Sequence, residues 1–173
     1  MEFIFETTHD LAALTDMSRA LRKTYRKVKS LVIRLICVAF FCVGVYFSTP
    51  RSGREFSWEL NSVLSNLALI MLLICVLCED SMNGRVARSK LDEDDVQVTA
   101  KFTEEGYSIE TAARFENWQY DWAAYLVETK YYFVIVFDKH RAQVFDKDNL
   151  SGGTEDEFRF FLEEKTGKKF IIA

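Results

Sequence analysis

Two apolar runs decide how this chain reads: LVIRLICVAFFCVGVYFS at residues 31–48 and LNSVLSNLALIMLLICVLC at residues 60–78. At about 1.5 Å per residue a helix over either run reaches roughly 27 Å, close to the ~30 Å of hydrocarbon that a spanning helix must cover. The pair is therefore expected to form a transmembrane hairpin. Outward from it, the layout divides into residues 1–30, a short strand and a basic amphipathic helix; 31–78, the hairpin; 79–95, a linker; and 96–173, a cytoplasmic domain. A chain of 173 residues has room for one such hairpin and one small core.

The overall net charge of −4 hides a segregation. Residues 92–173 hold 18 acidic against 10 basic side chains, whereas residues 1–60 hold 9 basic against 6 acidic. Ahead of the first run stand Arg19, Arg22, Lys23, Arg26, Lys27 and Lys29; the loop between the runs carries Arg51 and Arg54; Arg85, Arg88 and Lys90 follow the second. Because Lys and Arg are retained on the cytoplasmic side, this bias predicts a multi-pass protein with both termini cytoplasmic. Residues 1–10 contain acidic side chains and no basic n-region, which does not fit a cleavable signal peptide.

Within the hairpin, Arg34 reads as a snorkelling anchor near the boundary, with Tyr46 and Trp58 as interfacial aromatics. Asn61, Ser62, Ser65 and Asn66 fall on one side of a helix and are expected to face protein, holding the hairpin or a homo-oligomer together. All four cysteines, Cys37, Cys42, Cys75 and Cys78, lie in the apolar runs. There a thiolate is disfavoured, so packing rather than redox or metal chemistry is their expected role.

Upstream, Leu11, Leu14, Met17, Leu21, Tyr25 and Val28 recur at three- and four-residue spacing opposite the basic residues. That pattern predicts an amphipathic helix, capped by Thr7 or Thr8 and continuing unbroken into the first run. Its basic face has three readings: a solvated positive-inside signal, attraction to anionic headgroups, or docking on the acidic domain. The early strand Glu2 to Glu6, with Phe3 and Phe5 on one face, is expected to join the C-terminal sheet and bring this helix against it.

Downstream, Val96, Val98, Ala100 and Phe102 alternate with polar residues, turn at Glu105-Gly106 and resume at Tyr107 and Ile109, the pattern of a β-hairpin. Further strands are expected at 113–119, 123–128, 131–137 and 142–145. Thr154 and Glu157 then form a T-x-x-E capping box ahead of a helix with Phe158, Phe161 and Leu162 on its buried stripe, closed by Gly167. The predicted fold class is thus an α+β membrane protein: a two-helix transmembrane hairpin plus a small antiparallel β-barrel or sheet of pleckstrin-homology-like (PH-like) plan, ending in a C-terminal helix.

The block Tyr120-Asp121-Trp122-Ala123-Ala124-Tyr125-Leu126-Val127-Glu128-Thr129-Lys130-Tyr131-Tyr132-Phe133 resembles the YcxB-like family of bacterial membrane proteins. The likeness lies in an aromatic, a Trp-led strand and Glu-Thr before an aromatic strand; the early strand, helix and two apolar runs also fit that family's layout. Asp146-Lys147 stands where the family usually has a Pro-Lys pair. The resemblance implies residence in a bacterial inner (cytoplasmic) membrane and supplies a layout without a mechanism.

Candidate chemistry is sparse. Asp146, Asp148, Thr154 and Glu157 occupy positions 1, 3, 9 and 12 of a calcium loop, but position 6 is Ser151 where glycine is required. His9 and His140 lack metal or nucleophile spacing and read as surface residues. Trp118, Tyr120, Trp122 and Tyr125 read as core first and as a ligand groove second. With no phosphate-binding, dinucleotide, zincin or serine-hydrolase motif, no catalytic, cofactor-binding or metal residue is assigned and no cofactor is expected. The function expected is a non-catalytic membrane protein whose PH-like domain serves protein interaction or regulation. The alternatives are an anionic-lipid or signal sensor and an accessory transport subunit. Its expected partners are the lipid bilayer and an unidentified protein or second copy, not nucleic acid.

Overall fold

Phe3, Phe5 and Thr7 alternate with polar residues, so an extended chain turns all three to one face. In the computed structural model, which describes residues 2–48 and 60–173, that face is buried. This strand, β1 (Phe3–Thr8), pairs antiparallel with β2 (Gln97–Phe102), with Phe3 opposite Phe102 and Thr8 opposite Gln97. Hairpins add β3 (Tyr107–Glu110) and β4 (Phe115–Trp118) beyond β2. The short β8 (Leu150–Ser151) borders β1 on its other side, giving a five-stranded sheet in the order β4-β3-β2-β1-β8. Gly152, which follows β8, has φ +92°, and a Cβ there would strike the Glu2 carbonyl, so only glycine lets the two backbones approach.

A second sheet, in the order β7-β6-β5-β9, contains β5 (Tyr125–Glu128), β6 (Tyr132–Val136) and β7 (Ala142–Asp146) in antiparallel pairing. The last strand, β9 (Phe170–Ile172), joins β5 in parallel after the chain has crossed over through a helix. Central β6 is apolar on both faces, and each face has its own partner. Phe133 and Ile135 enter the main core with Phe3, Phe5, Phe102, Phe145 and Phe158, while Val134 and Val136 pack with Val127 and Val144 under Ala13, Ala20 and Leu21 of α1 (Leu11–Thr24).

The helices show why their sequences start and stop where they do. Asp10, not Thr7 or Thr8, caps α1 by accepting the Ala13 N–H at 2.8 Å, because both threonines are already in β1. This helix closes at Tyr25 and a new one, α2 (Lys27–Ser48), begins, so the expected continuous rod is broken. The segment read as a linker holds α4 (Glu79–Ser89) and a 3-10 turn over Glu93–Asp95. Gly84 lets α4 lie close on α1, where a Cβ would come within 2.7 Å of the Thr15 hydroxyl. Near the C-terminus, α5 (Glu155–Thr166) has the full Thr154/Glu157 capping box and ends at Gly167, whose φ of +66° forms the left-handed cap.

The chain divides into two compact units, one formed by residues up to Arg26 with Asp80–Ala173, the other by Lys27–Glu79. In the second unit α2 and α3 (Leu60–Leu77) pack against each other, the Leu69 side chain filling the space left by Gly44.

The transmembrane expectation is corrected here. Among the described residues no single helix is long and apolar enough to cross a membrane. The multi-pass membrane localisation and the cytoplasmic placement of both termini, argued from two spans, fall with it. Hydropathy counted residue types along two runs, but α2 opens with Lys27, Lys29 and Arg34, and α3 ends at Leu77, just before the polar α4. Arg34, read as a snorkelling anchor, faces Glu79 at 3.9 Å, and the Ser30 hydroxyl donates to the same carboxylate at 2.7 Å. Nor do the described residues form the expected single PH-like barrel or sheet: their strands make two sheets, one of which contains a parallel pair. The loop with Arg51, Arg54 and Trp58, and the side chains of Asn61, Ser62, Ser65 and Cys75, lie outside the described residues.

Candidate functional site

Of the sequence-level candidates, those that resemble a calcium loop serve the backbone instead. The Asp146 carboxylate accepts from the Asp148 N–H at 3.1 Å and from the Asn149 amide at 2.9 Å, and Glu157 accepts from the Thr154 N–H at 2.8 Å. No group of three or more His, Cys, Asp or Glu able to hold a metal occurs among the described residues. The aromatic set divides. Tyr120 is core and donates its hydroxyl to the Thr103 carbonyl at 2.6 Å; Trp118 packs against Phe137 with the rings tilted by 36°; Trp122 and Tyr125 are exposed, Tyr125 meeting Tyr25 edge-on. Cys37 is buried, whereas Cys42 and Cys78 are exposed free thiols.

The basic face of α1 is bound to its own unit. Arg22 forms a two-pronged bond to Asp80 at 2.7 Å for each contact, and Arg19 bonds Asp16 at 2.7 Å. Asp80 belongs to α4, so the acid that engages this face comes from the stretch read as a linker.

Three places hold unusual chemistry. The first is a buried ion cluster. Glu128, only 6% exposed, accepts from Lys147 at 2.5 Å and from two Arg159 nitrogens at 2.8 Å. These bonds, those of Arg159 foremost, hold its carboxyl below the usual carboxylate range. Lys147 also lies 4.6 Å over the Phe133 ring, which ties β5, β6 and α5 together at one point.

A cavity beside His9 is the second. Its volume is about 180 Å³, and it lies between β2, β3 and β4 of one sheet and β7 of the other. Buried Val98, Ile109, Val144 and Phe145 form its apolar floor, with exposed Arg114 at its rim. Arg114 grips buried Asp95 with two nitrogens, and the Thr111 hydroxyl donates to the same carboxylate at 2.9 Å. His9, expected on the surface, is half-buried here. Burial lowers its pKa below 6.5, opposed by a hydrogen bond to the Asp95 backbone, and Nδ1 is buried with no partner. No spacing in the sequence signals this site, because His9 and Arg114 meet only through sheet pairing.

The third is the surface of the α2/α3 hairpin. Leu35, Phe40 and Val43 on α2 and Leu67, Met71 and Leu77 on α3 are all more than half exposed, Phe40 to 62% and Met71 to 65%. These are the same two runs for which hydropathy alone predicts a lipid covering. No family model, no curated protein and no solved structure matches the chain.

Proposed function

We propose that this chain is a non-catalytic interaction protein in which the α+β unit carries a helical hairpin as its contact element, and that the hairpin pairs with that of a second copy. The observation that carries the reading is the apolar exposure of α2 and α3. A helix that is apolar around its whole circumference needs neighbours on more than one side, and within its unit the described part of α2 packs on α3. A second hairpin supplies two further helices and makes a four-helix bundle, whose two-fold symmetry closes the assembly. Apolar side chains about half exposed along both helices make a contiguous patch of the kind that marks a contact surface. The likeness of residues 120–133 to the YcxB-like family is part of this proposal and rests on that block.

The test is the mass of the full chain by light scattering, compared with the double variant Phe40→Asp, Met71→Asp. The native chain is expected as a dimer and the variant as a monomer with the unfolding transition of its α+β unit unchanged. A single copy per particle for the native chain, in buffer or in a detergent micelle, overturns self-pairing.

A further inference from the structure

We infer that the groove over β2, β3 and β4 binds a short uncharged saccharide, with a sugar ring resting on the Trp122 indole and its hydroxyls meeting Ser108, Asn117, Gln119 and Glu105. The volume of the groove is about 380 Å³. A ring of benzene's size fills a cavity of ~150 Å³, so there is room for about two six-membered rings.

The side chains that line the groove differ in whether their bonding capacity is already used. Lys101 pairs with Glu2 at 2.8 Å, the Thr103 hydroxyl donates to the Gly106 carbonyl at 2.9 Å, and the Tyr107 hydroxyl donates to Gln143 at 2.5 Å. Ser108, Asn117, Gln119 and Glu105, by contrast, make no side-chain bond among the described residues. Sheet register sets Lys101, Ser108 and Asn117 side by side across the three strands, and Gln119 and Glu105 extend the same groove. Together the four offer donors and acceptors in close succession, the carboxylate accepting only.

That inventory selects the ligand. An anion would face the Glu105 carboxylate, and Lys101, the cation among the lining residues, is already neutralised. A wholly apolar molecule would cover four polar groups and leave them unpaired. A proline-rich segment brings carbonyls, but its prolines have no N–H to give Glu105. Neighbouring hydroxyls on one ring, each both donor and acceptor, satisfy all four groups, and the C–H face of the same ring suits an aromatic platform.

The platform is built in advance. Trp122 is 52% exposed, and its ring meets Trp118 at 5.7 Å between centroids and 76° between planes. Trp118 is held in turn by Phe137, 4.6 Å away, and by its own Nε1–H, which donates to Glu116 at 3.1 Å. Trp122 ends a 3-10 turn over Tyr120–Trp122, in which the Tyr120 hydroxyl reaches the carbonyls of Thr103 and Gly106 at 2.6 and 3.1 Å. This fastens the turn carrying Trp122 to the β2–β3 turn carrying Glu105, so both walls are set before a ligand arrives.

The probes are cellobiose, maltose, lactose and N,N′-diacetylchitobiose, titrated into the full chain and read by nuclear magnetic resonance at the Trp122 indole N–H and the Asn117 and Gln119 side-chain amides. At least one is expected to saturate with a Kd of about 1 mM and to shift these signals. For that probe Trp122→Ala weakens binding about tenfold, whereas Trp122→Phe, which keeps a flat ring, weakens it by about threefold or less. Asn117→Ala and Gln119→Ala each weaken it about fivefold, the worth of one hydrogen bond. Unfolding transitions are measured alongside; because Asn117 and Gln119 are exposed, their variants decide the matter even where Trp122→Ala does not fold. Saturation by none of the disaccharides, a binder unaffected by the Asn117 and Gln119 variants, or tighter binding of a proline hexapeptide than of every sugar would overturn the inference.

Discussion

Large apolar residues are concentrated both in the α+β unit and in the helical hairpin, and the two regions dispose of them in opposite ways. In the α+β unit the phenylalanines cover one another. Phe158 of α5 is fully buried, with ring centroids of Phe5, Phe102, Phe133 and Phe3 between 4.6 and 5.3 Å away. On α2, by contrast, Phe40 is mostly exposed. A sheet has two faces and can sandwich its apolar residues between other layers, as β6 does, whereas two helices bury only the stripe along which they touch. Residue type is thus the same in both places, and the number of neighbouring layers decides whether it becomes core or contact surface.

The sharpest way to break this contrast is to cut the same residue type in each region. Phe158→Ala should cost about 4 kcal/mol of unfolding free energy by leaving a void amid the aromatic rings, while Phe40→Ala should shift the unfolding of the α+β unit by less than about 0.5 kcal/mol. Denaturant titration followed by near-ultraviolet signals measures both, and equal losses would erase the distinction. Next in size is Glu128→Gln, which removes the charge that partners buried Lys147 together with Arg159 and should cost about 3 kcal/mol. Since the carboxyl of Glu128 is held below 4.5, its contribution is present at neutral pH and lost as pH falls through that lowered value. The variant's unfolding free energy should accordingly depend less on pH in the acid range.

The smallest expected effect concerns His9. Its folded pKa lies below 6.5, so the unfolded chain binds the extra proton first, and stability that is complete above pH 6.5 declines as pH falls towards the lowered value. His9→Leu should flatten that part of the stability profile, with the nearby carboxylates Asp95 and Asp10 retained as the background. An unchanged slope would mean that another group controls this window.

Local features of the α+β unit were legible from the sequence in proportion to how local their physics is. The Thr154/Glu157 capping box and the Gly167 stop involve residues a few positions apart, and the inward alternation of Val98, Ala100 and Phe102 follows from the two-residue repeat of any strand. The fold of α4 was missed because its residues carry no apolar stripe; what holds it is the close seat of Gly84 on α1 and the Arg22 to Asp80 bond. His9 was misplaced for a related reason, since nothing beside it in sequence tells that β2, β3 and β7 will enclose it.

The amino-acid sequence alone determined the Thr154/Glu157 cap and Gly167 stop of α5, the strand alternation and the existence of two long apolar helical runs, because these depend on contacts within a few residues and on side-chain type. Tertiary structure decided the division of the described strands into two sheets, the parallel seat of β9 beside β5, the ion cluster around Glu128 and the cavity at His9. It also decided against reading the apolar runs as spans. Hydropathy measures how strongly a segment avoids water, whereas the neighbour that relieves it of water is selected by pairing and packing between parts of the chain far apart in sequence.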